Sequence, residues 1–297
     1  MKQLVILSGK GGTGKTTVAA ALAHLASQEA PIVLVDADVD ASNLELVLSP
    51  ELQEEHAFFS SKVAVIDPDL CEECGRCVEV CRFDAVIRPQ SDGDSFSIDP
   101  VACEGCAVCH YQCPVEAIRL DEPQDGLWFL SHTAFGPLVH AHLFAGRENS
   151  GKLVSEVRQR ARKIASEGGH VYSIIDGPPG IACPVIAATT GVDLTLIVIE
   201  PTVSGAHDLE RVLALSDHFE VPAMVCINKY DINLDKTREI TSYCAGRGVE
   251  VAACIPFDTV VTEAMVQGKP ITAYGDGRVT EELRNLWRHV KARLAEL

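Results

Sequence analysis

The sequence predicts an α/β protein in which a doubly wound parallel sheet forms the main domain and a smaller α+β module is inserted into it. Three observations predict this arrangement. Apolar runs alternate with helix-forming segments over most of the chain, which is the pattern of parallel strands joined by crossover helices. A glycine-rich loop follows the first apolar run. A cysteine-rich repeat interrupts the alternation over residues 62–122, so the main domain is predicted to comprise residues 1–61 and 123–297.

The elements of the main domain follow from hydrophobic periodicity and helix propensity. We predict strands at residues 3–8 and 32–35 and near residues 127–130, 171–175, 194–199, 223–227 and 250–255. We predict helices at residues 17–26 and near residues 152–166, 205–218, 235–247, 259–267 and 280–296. The last helix has an apolar stripe, formed by Leu283, Leu286, Val290, Leu294 and Leu297. Because the chain is acidic overall, this stripe is predicted to cover one face of the sheet rather than to bind a membrane.

The composition excludes several classes of protein. The chain has 297 residues, 47% of them hydrophobic, and its 25 Lys and Arg against 42 Asp and Glu give a net charge of −17. A chain this acidic is not predicted to bind nucleic acid, since phosphates are bound through Lys and Arg. No uncharged apolar stretch is long enough to span a bilayer, and the first strand runs into the glycine loop without a cleavage site, so we expect a cytoplasmic protein.

Cysteine is the unusual component, with twelve residues, eight of them between Cys71 and Cys113. Cytoplasmic thiols stay reduced, so ligands are a better interpretation than disulfides. Cysteines at positions 71, 74, 77 and 81 recur 32 residues later, at positions 103, 106, 109 and 113. The segment 62–122 contains 13 acidic and 5 basic residues, and we therefore predict a compact acidic module there.

Residues 9–16 match the pattern G-x-x-x-x-G-K-[ST], placed between a predicted strand and a predicted helix. In this arrangement backbone N–H groups and the helix N-terminus surround phosphate oxygens. Lys15 is predicted to reach the terminal phosphates and Thr16 to bind Mg²⁺. The nucleotide-binding residues predicted in this segment are Gly9, Lys10, Gly11, Gly12, Thr13, Gly14, Lys15, Thr16 and Thr17.

Residues 10–17, Lys-Gly-Gly-Thr-Gly-Lys-Thr-Thr, resemble the deviant phosphate loop of the MinD/ParA/Mrp superfamily, which includes the nitrogenase iron protein. The resemblance implies that Lys10 reaches across a dimer interface to the other protomer's phosphates, and hence that ATP hydrolysis requires a homodimer. Residues 36–44 and 174–180 resemble the two switches of this family. The resemblance implies that Asp38 orients the attacking water and that Asp176 supports Mg²⁺ through water.

Asn228 begins the tetrapeptide Asn228-Lys229-Tyr230-Asp231, which follows a predicted strand. Asn-Lys-x-Asp resembles the guanine-binding motif of small GTPases, whereas MinD-type relatives have an asparagine here and use ATP. We favour ATP, because the phosphate-loop pattern is longer and more specific than this tetrapeptide, and GTP is the alternative. In the ATP interpretation Asn228 contacts the purine base and Asp231 begins a loop.

Both cysteine groups have the spacing Cys-x₂-Cys-x₂-Cys-x₃-Cys, and Pro114 follows the second group. This resembles bacterial dicluster ferredoxins, which implies two 4Fe–4S clusters, each bound by three cysteines of one group and the fourth cysteine of the other. The implied sets are Cys71, Cys74, Cys77 and Cys113 for one cluster, and Cys81, Cys103, Cys106 and Cys109 for the second. Arg82 stands where ferredoxins have a proline. Zinc bound by Cys-x₂-Cys pairs and haem attached at the sequence Cys106 to His110 are the weaker alternatives.

Two residues outside these motifs are candidates for a surface that meets a partner. Cys183 follows Asp176 by seven residues, the offset at which the nitrogenase iron protein has a cluster-ligating cysteine. The second ligand of that protein has no counterpart, since Phe144 stands at the corresponding position. His140, in a polar stretch that the resemblance places beside the second switch, is the other candidate. The alternatives are a buried thiol for Cys183 and a solvated or hydrogen-bonded histidine for His140.

Three functions fit these features. The first is an ATPase whose clusters assist the assembly of an iron–sulfur protein or another metallocofactor. The second is an ATP-gated electron donor, like the nitrogenase iron protein, and the third is a positioning switch with structural or sensory clusters. Each requires a client or partner protein that the sequence does not identify, and the third explains the clusters least well.

Overall fold

The computed structural model describes residues 1–91, 94–146 and 150–297. The chain forms two compact units. The first unit comprises Met1–His56, Trp128–His142 and Ser150–Leu297, and the second unit comprises Ala57–Leu127 and Leu143–Asn149. The insert predicted at residues 62–122 lies inside the range of the second unit.

The described residues form strands and helices with the following bounds. The strands are β1 (Lys2–Ser8), β2 (Ile32–Asp36), β3 (Glu51–Phe58), β4 (Val63–Ile66), β5 (Val86–Ile87), β6 (Ser97–Ile98), β7 (Ile118–Asp121), β8 (Gly126–Thr133), β9 (Gly136–Leu143), β10 (Tyr172–Pro179), β11 (Leu194–Ile199), β12 (Ala223–Asn228) and β13 (Glu250–Ile255). The helices are α1 (Lys15–Ser27), α2 (Leu44–Leu48), α3 (Arg76–Val80), α4 (Val108–Gln112), α5 (Ser150–Gly168), α6 (Cys183–Thr189), α7 (Val203–His218), α8 (Leu234–Gly246), α9 (Val260–Val266), α10 (Ile271–Tyr274) and α11 (Arg278–Glu296). A 3-10 helix lies at Tyr230–Ile232.

The main sheet of the described residues has nine strands in the order β13-β12-β11-β1-β10-β2-β9-β8-β3. From β13 to β9 each strand is parallel to its neighbours, and Leu4 of β1 pairs with Ile174 of β10 and Leu194 of β11. Strands β8 and β9 are joined by only two residues, which requires them to run antiparallel. The predicted parallel sheet is therefore the larger part of a mixed sheet.

Strands β3 and β9 are absent from the predicted set, for different physical reasons. Of the residues of β3, Phe58 alone is buried, so this edge strand has no alternation of buried and exposed positions. In β9 the side chains of Leu138, Val139 and Ala141 are buried, but histidines at positions 140 and 142 give the segment a polar character in sequence.

Both faces of the central strands are covered. Leu4 and Ile6 of β1 belong to a core that includes apolar residues of α1 and α11, while Val5 and Leu7 point to the opposite face and are also buried. As predicted, the stripe of α11 packs on the sheet through Leu283, Leu286, Val290 and Leu294. Leu297 is an exception: it follows the last helical residue and is 44% exposed. Among the helices of the described ranges, none has the length and apolar character needed to cross a bilayer.

The backbone of the second unit has equivalent features at the same 32-residue interval as the cysteines. Strands β4 and β7 pair antiparallel, as do β5 and β6. The Cys71 N–H donates to the Asp67 carbonyl at 3.1 Å, and the Cys103 N–H donates to the Asp99 carbonyl at 3.1 Å. Two non-glycine residues at equivalent places have left-handed backbone, Asp84 at φ 53° and Glu116 at φ 54°. The second unit therefore consists of two similar halves.

Candidate nucleotide and cysteine sites

The phosphate loop connects β1 to α1 at the carboxyl end of the parallel strands. Gly14 precedes α1 with φ +89°, and no side chain caps the first turn of the helix. The N–H groups of that turn are therefore available for phosphate oxygens. A Cβ atom at position 14 would lie 2.3 Å from Asn228 Nδ2, so both the backbone conformation and the contact favour glycine here.

Three side chains that the sequence analysis selected meet at the start of α1. Lys15 Nζ lies 2.7 Å from Asp176 Oδ1, and the Thr16 hydroxyl donates to Asp176 Oδ2 at 2.6 Å. Asp38 is also near, with its Oδ2 3.9 Å from Lys15 Nζ. Strand β10 supplies Asp176 and the loop after β2 supplies Asp38, so neighbouring parallel strands place both carboxylates beside the phosphate loop.

The carboxylates and the ammonium of this site change each other's pKa values. Burial alone would lower the pKa of Lys15, but the carboxylates of Asp176, Asp36 and Asp38 together raise it. Burial raises the pKa of Asp38 to about 6, against the opposing effect of Lys15. Three carboxylates surround one ammonium, an excess of negative charge that a divalent cation would neutralise.

Asp36 is a member of this site that the sequence analysis did not single out. Its carboxylate accepts hydrogen bonds from Ser42 Oγ at 2.7 Å and from the N–H groups of Asp38, Asn43 and Leu44 at 3.0 to 3.1 Å. Burial raises the pKa of Asp36 to about 7. Asp36 thus holds the predicted first switch and the start of α2 in place. Like Asp176, it follows an apolar strand segment, and that signal was present in the sequence.

Asn228 contacts the phosphate loop directly. Its Nδ2 donates to the Thr13 carbonyl at 2.8 Å, and its Oδ1 accepts from the Lys229 N–H at 3.0 Å. Asp231, which would bind guanine in a GTPase, accepts a hydrogen bond from the Phe257 N–H at 2.8 Å. Asn228 therefore connects the end of β12 to the phosphate loop.

Lys10 lies against residues of its own chain. Its Nζ donates to Ser204 Oγ at 3.2 Å and is 4.0 Å from Glu200 Oε2. Glu200 follows β11 directly, and its side chain is 14% exposed. The sequence analysis missed Glu200, although it too is a carboxylate that follows an apolar strand.

The eight cysteines of the second unit line two separate cavities. One cavity is lined by Cys71, Cys74, Cys77 and Cys113. The other is lined by Cys81, Cys103, Cys106 and Cys109. Each cavity takes three cysteines from one sequence group and the fourth from the other group. Within residues 1–91, 94–146 and 150–297, no three His, Cys, Asp or Glu side chains are placed so that they could together hold a metal ion.

The surroundings of the two cavities are apolar. Ile66 and Phe96 contribute to the wall of the first cavity, and Ala64 and Val86 to the wall of the second. Backbone N–H groups reach the sulfur atoms here, and the Ala117 N–H donates to Cys113 Sγ at 3.2 Å. The other four cysteines lie outside the second unit: Cys226 and Cys244 are buried, Cys254 is half-buried and Cys183 is exposed.

Comparison with known proteins identifies the nucleotide-binding part of the chain. The CobQ/CobB/MinD/ParA nucleotide-binding domain family matches residues 4–271. The chain belongs to this family. It is a P-loop ATPase of the MinD/ParA type, in agreement with the predicted activity.

Similar proteins cover almost the whole chain of this ATPase. An uncharacterised protein of Methanocaldococcus jannaschii is 32% identical over 289 residues, which are 97% of this chain and 96% of that protein. An iron–sulfur cluster carrier protein of Pyrococcus abyssi is 24% identical over 312 residues, 99% of this chain and 87% of that protein. The solved structure of the septum site-determining protein MinD from Pyrococcus horikoshii, complexed with Mg-ADP, has the same fold, with a TM-score of 0.58 and 18% identity over 97% of this chain and 95% of that one.

The two residues predicted to face a partner differ in exposure within this MinD/ParA-type ATPase. Cys183 begins α6 and is exposed. His140 is 5% exposed, which corrects its predicted position on a partner-facing surface. Its Nε2 lies 2.9 Å from Ser131 Oγ and its Nδ1 lies 3.3 Å from Glu45 Oε2, so the ring is held between strand β8 and helix α2. The alternative of a hydrogen-bonded histidine agrees with the structure.

Proposed function

We propose that this ATPase works as a homodimer that couples its nucleotide state to two 4Fe–4S clusters and assists the assembly of an iron–sulfur or other metallocofactor in a client protein. The observation that supports this most is the sorting of eight cysteines into two cavities of four. In each cavity the set is the crossed combination of three cysteines from one group and one from the other. This combination is the one by which two-cluster ferredoxins bind their clusters.

The residues present fit such clusters. Thiolate sulfur is the donor that iron–sulfur clusters use, and each cavity provides four. The apolar walls and the N–H donor to Cys113 Sγ are the kind of environment that sets cluster potential. Bound clusters would supply electrons, or iron and sulfide, for the client. The residues that would hold them are Cys71, Cys74, Cys77 and Cys113 for one cluster, and Cys81, Cys103, Cys106 and Cys109 for the other.

The nucleotide half of the proposal assigns one role to each polar side chain of the site. Lys15 and the phosphate loop bind the phosphates, and Thr16 and Asp176 hold Mg²⁺, the latter through water. Asp38 orients the attacking water, and Asn228 contacts the adenine. Lys10 of one protomer stabilises the charge on the other protomer's phosphates. The contacts of Asp176 with Lys15 and Thr16 support this assignment, since they already gather the Mg²⁺ and phosphate ligands at one point.

Two arguments favour cofactor assembly over the alternatives. The Pyrococcus abyssi relative, which aligns with 99% of the chain, is named an iron–sulfur cluster carrier protein. Few residues of the chain separate the predicted first switch from the second unit, since α2 follows the switch and β3 then leads into that unit. A segment held by the terminal phosphate and relaxed on hydrolysis can therefore act on the chain that enters the cysteine unit.

Iron analysis of pairs of variants tests the cluster assignment. After anaerobic purification we expect about eight iron and eight labile sulfide per chain. If the sets are crossed, Cys71→Ser with Cys113→Ser removes one cluster and leaves about four iron. Cys71→Ser with Cys81→Ser instead removes ligands from both clusters and leaves none. Cys226→Ser, a buried cysteine of the first unit, is the matched control and keeps all the iron. Tightly bound zinc without iron contradicts the assignment. So does the reverse result, in which Cys71→Ser with Cys113→Ser loses all the iron and Cys71→Ser with Cys81→Ser keeps about four iron.

A transfer assay then separates the functions. We expect radiolabelled iron to move from the loaded protein to an apo iron–sulfur acceptor faster with ATP than with ADP, and to lose this difference in Lys15→Ala. Electron transfer to an acceptor that depends on ATP, with no net movement of iron, would instead establish the electron donor. Iron transfer and electron transfer that are both indifferent to nucleotide would leave the positioning switch.

A further inference from the structure

Glu200 shares its carboxylate between two lysines. Lys229 Nζ lies 2.6 Å from Oε1, whereas Lys10 Nζ lies 4.0 Å from Oε2. The side chain of Glu200 is 14% exposed, and those of Lys229 and Lys10 are 32% and 37% exposed. Lys229 is thus the near partner and Lys10 the distant one.

Lys229 is also connected to the phosphate loop, through its backbone N–H and the side chain of Asn228. Lys229 has φ 54°, in the left-handed region that non-glycine residues seldom occupy. Its N–H donates to Asn228 Oδ1, and Asn228 Nδ2 donates to the Thr13 carbonyl. The phosphate loop is therefore held at two points. Asn228, at the end of β12, contacts residue 13, whereas Glu200, directly after β11, and Ser204, in α7, contact residue 10.

We propose that Glu200 is a positioning residue that keeps Lys10 on its own protomer until a second copy of the chain binds, and that Lys229 makes this hold weak enough to release. This inference rests on the proposed function, in which Lys10 acts on the other protomer's phosphates. To act there, Lys10 must leave Glu200. Because Lys229 stays 2.6 Å from the carboxylate, the mostly buried charge of Glu200 remains compensated after Lys10 has left.

Substitutions of Glu200 and of Lys229 are therefore expected to have opposite effects on dimer-dependent hydrolysis. In Glu200→Gln the hold on Lys10 is lost, so half-maximal hydrolysis is reached at a roughly two- to fivefold lower protein concentration, the range expected for a partly exposed ion pair. In Lys229→Met, Lys10 is the one lysine of the described residues that remains beside the carboxylate, so it is held more strongly and a higher protein concentration is required. In the double variant the carboxylate is absent, so the loss of Lys229 no longer affects Lys10 and the curve is expected to match that of Glu200→Gln alone.

The test measures ATP turnover against protein concentration, and dimer formation with ATP by sedimentation, for the full chain. Glu210→Gln, an exposed glutamate on α7, is the matched control and leaves the curve unchanged. ADP affinity of the monomer is measured in parallel, because a merely distorted phosphate loop would weaken it, whereas release of Lys10 does not. Shifts of the same sign in Glu200→Gln and Lys229→Met, or a lowered ADP affinity that accounts for them, overturn the inference.

Failure of this inference is distinguishable from failure of the proposed function. If Lys10→Ala hydrolyses ATP as fast as the unmodified chain, Lys10 has no role in trans and the proposed dimer mechanism fails. If Lys10→Ala loses hydrolysis but Glu200→Gln behaves like Glu210→Gln, the dimer mechanism stands and Glu200 holds nothing. We expect Lys10→Ala to lose hydrolysis, and Glu200→Gln to have no further effect in that background.

Discussion

The two units of this ATPase differ in the side chains that form their cores. In the first unit the strand residues Leu4 to Leu7 and Leu196 to Ile199 are at most 1% exposed, and helices pack on them through apolar stripes. In the second unit the apolar core has five buried residues, and six cysteines pack around it. Its helices α3 and α4 have no buried residue within the described chain. Partly buried cysteines thus surround the small apolar core of the second unit, whereas the core of the first unit is surrounded by aliphatic side chains.

This difference implies that the units differ in what stabilises them. Burial of apolar surface, at about 25 cal/mol per Å², is sufficient for a sheet covered on both faces. A unit of fewer than 80 residues with so small a core is of the size that usually needs disulfides, metals or a partner for stability. We therefore expect the second unit to depend on the clusters we propose, and the first unit to be independent of them.

Removing the iron is the most severe test of this comparison. After chelation we expect the backbone amides of β4 and β7 to lose their protection from hydrogen exchange, while those of β1 and β11 keep theirs. Both tryptophans, Trp128 and Trp287, lie in the first unit, so the midpoint of urea unfolding followed by their fluorescence reports on that unit and is expected not to change. Unchanged protection of β4 and β7 without iron would mean that the apolar core is sufficient.

A pair of core truncations sharpens the comparison. Leu196→Ala removes a fully buried side chain from β11 and is expected to lower the free energy of unfolding of the first unit by about 2–5 kcal/mol. Ile118→Ala, in the core of the second unit, is expected to leave urea unfolding followed by tryptophan fluorescence unchanged and to speed the loss of iron to a chelator. If Ile118→Ala shifts the tryptophan transition as far as Leu196→Ala does, the units do not unfold independently.

The same difference decides how much of the fold the sequence predicts. Apart from β9, the buried strands and the longer helices of the first unit are predicted within a few residues, because the strands are continuous apolar runs and the helices combine helix-forming residues with an apolar face. Strand β3 has no such pattern, since the residues from Glu51 to Ala57 are exposed on both faces of the strand. In the second unit, strands of two residues such as β5 are too short for a period, and only the cysteine spacing indicated its two-fold organisation.

The residues of the nucleotide site likewise differ in how far local sequence patterns predict them. Lys15, Thr16 and Asp176 lie within a fixed spacing or at a strand end, and the structure brings them within hydrogen-bond distance. Glu200 also lies at a strand end, but its significance comes from Lys10 and Lys229, which are 190 and 29 residues away in sequence. His140 was predicted to face a partner because a resemblance places its polar segment beside the second switch. The polar partners of its ring, Ser131 and Glu45, come from a neighbouring strand and a separate helix, which no local pattern indicates.

The interior of the first unit also contains a buried charged residue, Arg158. Substituting it measures what a buried polar side chain contributes to the stability of this unit. Arg158 is 6% exposed, burial lowers its pKa to about 10, and its Nη1 donates to the carbonyls of Ala187 and Thr190 at the end of α6. Arg158→Met leaves those carbonyls without a donor and is expected to cost about 1.5–3 kcal/mol in urea unfolding. Lys163→Met, at an exposed position of the same helix, is the control. An equal effect of both variants would mean that the buried guanidinium adds nothing.

The smallest effect expected is on the pH dependence of the first unit, through His140. Burial lowers the pKa of His140 to about 4, below its value of about 6.5 in an unfolded chain. Between these values the unfolded chain binds a proton that the folded chain does not. The free energy of unfolding therefore falls as the pH falls from 6.5 towards 4, by about 1 kcal/mol per pH unit for one such group. Above pH 6.5 this contribution is fully present.

Glu45 makes the sign of this effect informative, because its carboxylate lies 3.3 Å from His140 Nδ1 and would favour the charged ring. If burial dominates, urea unfolding followed by tryptophan fluorescence gives a steeper loss of stability from pH 6.5 to 5.5 in the unmodified chain than in His140→Gln. His207→Gln, at an exposed position on α7, keeps the steep profile. If Glu45 dominates, the folded pKa lies above 6.5, and the unmodified chain instead gains stability relative to His140→Gln as the pH falls. That result would mean that the link between α2 and the β8–β9 hairpin is an ion pair, and that the first unit holds a buried charge beside its switch.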